Sequence, residues 1–378
     1  MVPEVALFIP DLNGGGAERV AVNLANAFHA GGRATEVVLA RARGPLRADL
    51  SDEVAVVDLK VRRRHEVIRS LARYLEMRKP DALLANMDIA NVAAIIARHF
   101  SAPRTRLITC THVAPSVQAM KSGNLKDLSL LLAVRWLYPR ADGVVAVSEG
   151  VAADLSGRLG VPRERISVIY NPVVTEELLA LSRERVEHRW FGSGEPPVVL
   201  AVGRLTRQKD YPTLLRAFRR LRAGTRARLM ILGEGEERER LQRLVGELGV
   251  EGDVEFVGFV RNPYAFMSRA AVLVLSSGWE GFGNVLVEAM ACGTPVVSTD
   301  CPSGPREILD GGRYGPLVPV GDDKALADAL SRRLRLPAER DSLRARARDF
   351  SVDVAANQYV ALIEQARSGN RQTLRVAR

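Results

Sequence analysis

Two glutamates with seven residues between them, Glu280 and Glu288, lie in SSGWEGFGNVLVEAMACGTPVVSTD, residues 276–300. Gly278, Gly281 and Gly283 fill a loop after an aliphatic run, and helical spacing of apolar residues begins near Asn284. Glycines leave backbone N–H groups uncovered, and a helix N-terminus adds about half a positive charge, so this stretch suits a phosphate. Two carboxylates beside a phosphate would be repelled by it. They suit neutral hydroxyls, as on a sugar or a ribose. For an isolated pair, a loop acid and a solvated helix acid would be the better reading. The glycines and the helix start turn the balance toward a site.

Arg204 and Lys209 stand in GRLTRQKDYPTLLRAF, residues 203–218, just past the aliphatic run 198–202. A diphosphate carries roughly two to three charges and is matched by Arg and Lys together. Taken alone, the segment reads better as a solvated loop. NGGGAER, residues 13–19, follows the first aliphatic run and opens a helix. It lacks the spaced G-x-G-x-x-G form and no Walker lysine follows, so Gly15 and Gly16 indicate a close backbone approach rather than a nucleotide fingerprint. His112 ends the run 106–111, where a polar residue at the carboxyl end of a strand points into a crevice. A hydrogen-bonded structural histidine explains it equally well. Cys110 reads as a small core residue. No D-x-D motif occurs and the five histidines are scattered. No metal or cofactor is therefore expected, and charge neutralisation falls to Arg204, Lys209 and helix dipoles.

These residues need elements to hold them. Short aliphatic runs alternate with helical stretches: strands over 4–10, 34–40, 81–86, 106–112, 142–148 and 166–172, with helices over 17–32, 64–79, 90–100, 124–138 and 149–159 between them. The pattern falters over the charged residues 173–195. It restarts with strands over 196–203, 228–233, 254–260, 271–277 and 295–299, and helices over 211–222, 236–248, 263–269 and 284–292. This β-α repetition predicts two α/β domains with mostly parallel, doubly wound sheets. The expected division is 1–172, 173–350 and a terminal segment 351–378. That segment comprises an amphipathic helix over 351–366 that must pack on a domain, and a basic tail from Arg367 with Arg367, Arg371, Arg375 and Arg378 that should fray.

The 378 residues are 47% hydrophobic and 26% charged, which excludes global disorder and predicts more than one domain. Lys and Arg number 54 against 44 acids, for a net +10 spread over both halves. That is a mildly basic enzyme surface rather than a nucleic-acid arm, and it favours phosphates or an anionic membrane surface. Three cysteines cannot build a disulfide framework, which points to a reducing, cytoplasmic compartment. The longest uncharged run, residues 107–120, is too short to cross a bilayer. Residues 1–15 contain Glu4 and no basic region, so they read as a mature strand rather than a signal peptide.

The combination of Glu280 and Glu288 within EGFGNVLVEAMACGTPVV, together with VGRLTRQKDYPTLLRAF, LGEGEERERLQ, VEFVGFV, VIYNPV and the opening GGGAERV, resembles glycosyltransferase family four. The resemblance covers nearly the whole chain. It implies the GT-B fold, two Rossmann-like domains facing a cleft with a last helix crossing back to the first. It also implies retaining, metal-independent transfer from a nucleotide sugar. On that resemblance Arg204 and Lys209 would hold the donor diphosphate. Glu280 would meet sugar hydroxyls beside the backbone of Phe282 and Gly283, and Glu288 the ribose. Asn284, Val285 and Leu286 would present the helix N-terminus, and the backbone at Phe259 and Val260 would read the base. Gly15 and Gly16 would approach the diphosphate and His112 the sugar. CPSGPREIL, residues 301–309, is similar to members that use UDP-linked hexoses or N-acetylhexosamines. The implied partners are a UDP-sugar and a glycan or lipid-linked glycan, with no nucleic acid. With no covalent nucleophile in view, the expected route is front-face attack, the leaving phosphate acting as base and Arg204 and Lys209 stabilising it.

Other readings stay open on these residues. A UDP-N-acetylglucosamine 2-epimerase shares the fold and would work without an acceptor. A non-catalytic sugar-nucleotide-binding subunit would keep the fold but not all four charged residues. A dehydrogenase would want a G-x-G-x-x-G after an opening strand. Separately, KVRRRHEVIRSLARYLEMRK, residues 60–79, sets eight basic groups against Glu66 and Glu76. Arg62, Arg63 and Arg64 precede its helix and could meet an anionic membrane surface, placing the protein peripherally on the inner face of a cell membrane. A solvated helix whose stripe of Val67, Ile68, Leu71 and Leu75 packs on the sheet accounts for the same pattern.

Overall fold

A computed structural model describes residues 2–102, 104–122, 124–337 and 339–368. Of the expected frayed tail, Arg367 instead continues the last helix, Val352–Ser368, pairing with Asp81 at 3.6 Å and Glu364 at 3.7 Å, and Arg371, Arg375 and Arg378 lie outside the described residues. The chain divides into two compact units, Met1–Val173 joined by the segment from Val352 onward, and Val174–Ser351.

The first unit is built on a seven-stranded, wholly parallel sheet: β1 (Val5–Ile9), β2 (Thr35–Leu39), β3 (Ala55–Asp58), β4 (Ala82–Asn86), β5 (Arg106–Thr111), β6 (Gly143–Ala146) and β7 (Ile166–Val168). The spatial order is β3-β2-β1-β4-β5-β6-β7, so the winding direction reverses between β1 and β4. Every residue of β1, β2 and β4 is buried, as strands covered on both faces require. The edge strand β3 is largely exposed, and its short apolar run over residues 54–57 is not among the strands read from the sequence.

The C-terminal helix Val352–Ser368 belongs to this unit and packs on the helix Gly16–Ala30 and on β5. Tyr359 is its anchor. Its ring meets Phe28 edge-on at 6.4 Å and its hydroxyl lies 3.2 Å from Cys110 Sγ. Burial raises the Cys110 thiol to about 12, so it is a core residue and no nucleophile.

The second unit carries a six-stranded parallel sheet: β8 (Val198–Val202), β9 (Arg228–Leu232), β10 (Val254–Gly258), β11 (Val272–Leu275), β12 (Val296–Thr299) and β13 (Leu317–Val318), in the order β10-β9-β8-β11-β12-β13. Here the reversal falls between β8 and β11. The helix Tyr211–Arg222 shows why its sequence folds as it does. Asp210 caps it, accepting the Thr213 N–H at 3.4 Å, and Pro212 sits in the first turn. Leu214, Leu215, Phe218 and Leu221 are buried against Val199, Leu229 and Leu330, while arginines cover the other face.

Several elements depart from the sequence expectation. The stretch 149–159 is an α-helix only over Glu149–Ala153 and continues as a π-helical turn over Asp154–Arg158. A helix occupies Glu176–Leu181 inside the charged break, N-capped by Thr175 Oγ1 accepting from Leu178 N–H at 3.0 Å. Strand β10 stops at Gly258, so Phe259 and Val260 lie in the loop beyond it. Helices Pro115–Ser122, Pro305–Ile308, Asp323–Arg335 and Arg340–Arg348, along with β13, have no counterpart in the alternation read from the sequence.

Candidate functional site: the switch point of the second sheet

Ligands of open α/β sheets bind beyond the carboxyl ends of the strands where the order reverses. In the second unit that place lies between β8 and β11, which pair side by side. The loop after β8 carries Arg204 and Lys209. The loop after β11 carries Ser276 to Gly283. Sheet topology therefore brings together charged residues that stand 71 positions apart in the chain.

The two loops are tied together. The Gly278 N–H donates to the Gln208 carbonyl at 2.8 Å, and the Gln208 side-chain amide donates to the Trp279 carbonyl at 2.9 Å. Ser276 Oγ donates to the Lys209 carbonyl at 2.7 Å. Lys209 Nζ donates to Glu280 Oε1 at 2.6 Å, and Ser277 Oγ donates to the same oxygen at 2.6 Å. Glu280 is buried, at 7% exposure. A carboxylate so desolvated needs such a partner. Gly203 leaves room for that lysine: a Cβ there would stand 3.2 Å from Lys209 Cε, and its φ of +156° is one that residues with a Cβ rarely adopt. The Tyr211 hydroxyl closes the corner on the Gly203 carbonyl at 3.0 Å.

The family model for Glycosyltransferase Family 4 matches residues 14–177, and that for Glycosyl transferases group 1 matches residues 183–350. The lipopolysaccharide core biosynthesis glycosyltransferase LpsE of Rhizobium meliloti is 31% identical over 92% of this chain and 96% of its own length. The chain belongs to glycosyltransferase family four. An N-acetylgalactosaminyltransferase of Campylobacter jejuni, acting by its name on a diphospho-undecaprenol-linked acceptor, is 34% identical over 67% of this chain; the match spans 66% of its own length. Among solved structures, sucrose-phosphate synthase from Thermosynechococcus elongatus superposes with a TM-score of 0.81 at 23% identity, covering 97% of this chain and 99% of its own. Anabaena HepE in complex with UDP and glucose superposes with a TM-score of 0.79 at 20% identity, covering 96% and 100%. The fold is that of the GT-B glycosyltransferases.

Within this transferase the expected site residues fall into distinct roles. Arg204 is exposed, and its side chain has no hydrogen bond or ion pair among the described residues. Lys209 is the counter-ion of Glu280. The helix Asn284–Ala291 starts at Gly283, whose φ is +102°. Val285 and Leu286 are buried. The Leu286 N–H donates back to the Gly283 carbonyl at 2.9 Å, so of the three residues expected to face phosphate this donor is already used. Glu288 is half-buried in the second turn of that helix. Phe282 is buried and meets Phe350 edge-on at 5.5 Å. Phe259, by contrast, is 69% exposed, and Val260 is half-buried.

Gly15, Gly16 and His112 belong to the first unit. Gly15 is the N-cap of the helix Gly16–Ala30, without a side-chain cap. His112 follows β5, and its Nε2 lies 3.2 Å from Asn86 Oδ1 at the end of β4. Its Nδ1 is buried with no partner. Burial depresses the imidazole to about 4, so His112 is neutral near pH 7 and offers a hydrogen bond rather than a charge. Behind it lies a network that the sequence did not disclose. Tyr138 OH donates to Asp88 Oδ1 at 2.7 Å, and Asn91 Nδ2 donates to Tyr138 OH and to the Cys110 carbonyl, both at 2.9 Å. Burial raises the Asp88 carboxyl to about 6.

Sequence reasoning also missed Ser276, Ser277, Gln208 and Thr299. The available signal was a pair of serines directly after the aliphatic run, where strand ends deliver side chains to the switch point. Among the described residues no group of three or more His, Cys, Asp or Glu could hold a metal ion, and no helix is long and apolar enough to cross a membrane.

Proposed function

We propose that this transferase moves a hexose or N-acetylhexosamine from a UDP-linked donor, with retention of configuration and without a metal ion, to a glycan or lipid-linked glycan of a cell-surface polysaccharide or lipopolysaccharide. The observation that carries this reading is the buried Glu280 carboxylate, held by Lys209 and Ser277, with Arg204 unpaired among the described residues on the loop after β8. An acid fixed in that way offers acceptors to sugar hydroxyls. Arg204 and the N-terminus of helix Asn284–Ala291 are left for the charge that develops on the leaving diphosphate. Neutral His112 would bond a hydroxyl without adding charge. No side chain stands out as a covalent nucleophile, so the acceptor attacks from the face the diphosphate leaves, with the departing phosphate taking the proton.

The names of the relatives support the donor and acceptor classes. LpsE works in lipopolysaccharide core biosynthesis, the Campylobacter enzyme acts on a lipid-linked diphosphate, and HepE was solved with UDP. Thermal shift tests the donor. A ligand at a hundred times its Kd stabilises by about 2.7 kcal/mol, so UDP should raise the melting temperature more than GDP, ADP or CMP. The gain should be unchanged in EDTA. A larger gain from GDP would overturn the donor assignment, and loss of the gain in EDTA would overturn metal independence.

The same reading places the enzyme peripherally on the inner face of a membrane, through Arg62, Arg63 and Arg64. All three are exposed. The backbone N–H groups of Arg62 and Arg63 donate to Glu66 Oε2 at 2.8 and 3.0 Å, which lowers the Glu66 carboxyl and fixes the turn. In the helix Glu66–Arg78, Leu71, Tyr74 and Leu75 are buried and Val67 and Ile68 half-buried, so most of the apolar stripe is used by the fold, and the basic groups remain exposed with Glu76 and Met77. Each basic group contributes about 1 kcal/mol near anionic lipid. Flotation with anionic vesicles should fall with salt and weaken when Arg62, Arg63 and Arg64 become serine. Equal flotation of the triple variant leaves these arginines as an ordinary solvated face.

A further inference from the structure

Glu280 Oε1 receives two hydrogen bonds, from Lys209 Nζ and Ser277 Oγ, each at 2.6 Å, while Oε2 receives none among the described residues. The two donors are not equivalent. Lys209 is the end of a flexible chain, and its ammonium can turn toward any nearby anion. Ser277 is fully buried and has a single short rotor. Its carbonyl accepts from Thr299 Oγ1 at 2.7 Å, at the end of the neighbouring strand β12. The Glu280 N–H is in turn held by the Pro302 carbonyl at 3.3 Å. The backbone on both sides of this three-residue span is therefore fixed from the β12 side.

From this geometry we propose that Ser277 is a positioning residue for the transfer reaction. It pins Glu280 Oε1 so that Oε2 stays open as the acceptor for donor-sugar hydroxyls. Ser277 touches no substrate. It acts by keeping the carboxylate in one rotamer, including when a bound diphosphate draws the Lys209 ammonium away. Positional slack of an ångström at such a group is felt in turnover. The inference rests on the reading of Glu280 given under the proposed function.

A double-mutant cycle tests it, because a residue that acts only through another loses its effect once the other is gone. Transfer or donor hydrolysis is measured for wild type, Ser277→Ala, Glu280→Ala and the double variant, with UDP affinity measured alongside. Ser277→Ala should lower kcat/KM about tenfold, mostly in kcat, with UDP affinity within twofold of wild type. In the Glu280→Ala background the same substitution should change kcat/KM less than twofold. If Ser277→Ala does not accumulate folded, Ser277→Gly removes the same hydroxyl and reads the same cycle. Full additivity, or a parallel loss of UDP affinity, would mean a merely structural serine and overturn the proposal. Wild-type turnover in Glu280→Ala would instead overturn the assignment of Glu280 to the donor sugar, and the positioning role with it. The two failures are thus distinguished by the single variants.

Discussion

Glu280→Ala should lower turnover by about a hundredfold while leaving UDP affinity nearly unchanged, and Glu288→Ala should do the reverse. The first figure corresponds to the loss of charged hydrogen bonds to donor-sugar hydroxyls, about 1.5–3 kcal/mol. Glu280 is within reach of Lys209 and Ser277 but is read as touching only the sugar, so UDP without its sugar should not register the loss. The structure adds a second consequence. Removing Glu280 leaves the Lys209 ammonium largely buried without its partner. A buried ammonium that has lost its counter-ion favours an incoming anion, so the UDP affinity of Glu280→Ala should hold or rise. Its thermal stability without ligand should fall, since breaking a buried pair from one side costs about 3–5 kcal/mol. Glu288→Ala should weaken UDP by about 1.5–3 kcal/mol through loss of a charged bond to ribose. Calorimetric titration with UDP, paired with turnover, reads both. If both variants bind UDP like wild type, the division of labour between the two glutamates is wrong.

A stability effect of comparable size is expected at a residue with no chemistry. Gly304 has φ +91°, and a Cβ built there would stand 1.8 Å from the Phe282 carbonyl oxygen. That oxygen is backbone in the loop between Glu280 and the helix Asn284–Ala291, and it cannot swing aside as a side chain would. Gly304→Ala therefore meets two penalties, a left-handed backbone conformation for a residue with a Cβ and a clash that only loop movement relieves. A loss of about 4 kcal/mol is expected. For a unit of this size that is about 10 °C in Tm. Because the loop that must move holds Phe282 and Gly283, UDP binding should weaken in the surviving folded fraction. An unchanged Tm in scanning calorimetry would show that the loop yields at little cost.

Some of the site was legible before any tertiary structure. The helix over 211–222 was readable in full because Asp210, Pro212 and the spacing of Leu214, Leu215, Phe218 and Leu221 all state the same element locally. Edge strand β3 was passed over, because its apolar run over residues 54–57 is short and the strand itself is largely exposed. Two-residue β13 was too short to show a pattern. The helix Arg340–Arg348 buries only Leu343 and Ala347, which leaves almost no apolar period to find.

By itself the sequence determined the class of architecture, through aliphatic runs alternating with amphipathic stretches, and the family, through Glu280, Glu288, the glycines between β11 and its helix, and the loop of Arg204 and Lys209. Those are properties of neighbours in the chain, where period, propensity and spacing act. Only the tertiary structure decided which charged residues meet. The order β10-β9-β8-β11-β12-β13 sets β8 against β11. Lys209 thereby becomes the partner of Glu280, and Ser277 and Ser276 acquire roles that no spacing announces. The physical reason is that a buried carboxylate must find its donors among whatever groups the sheet order brings within 3 Å, and sheet order is a property of long-range strand pairing, which local sequence does not encode.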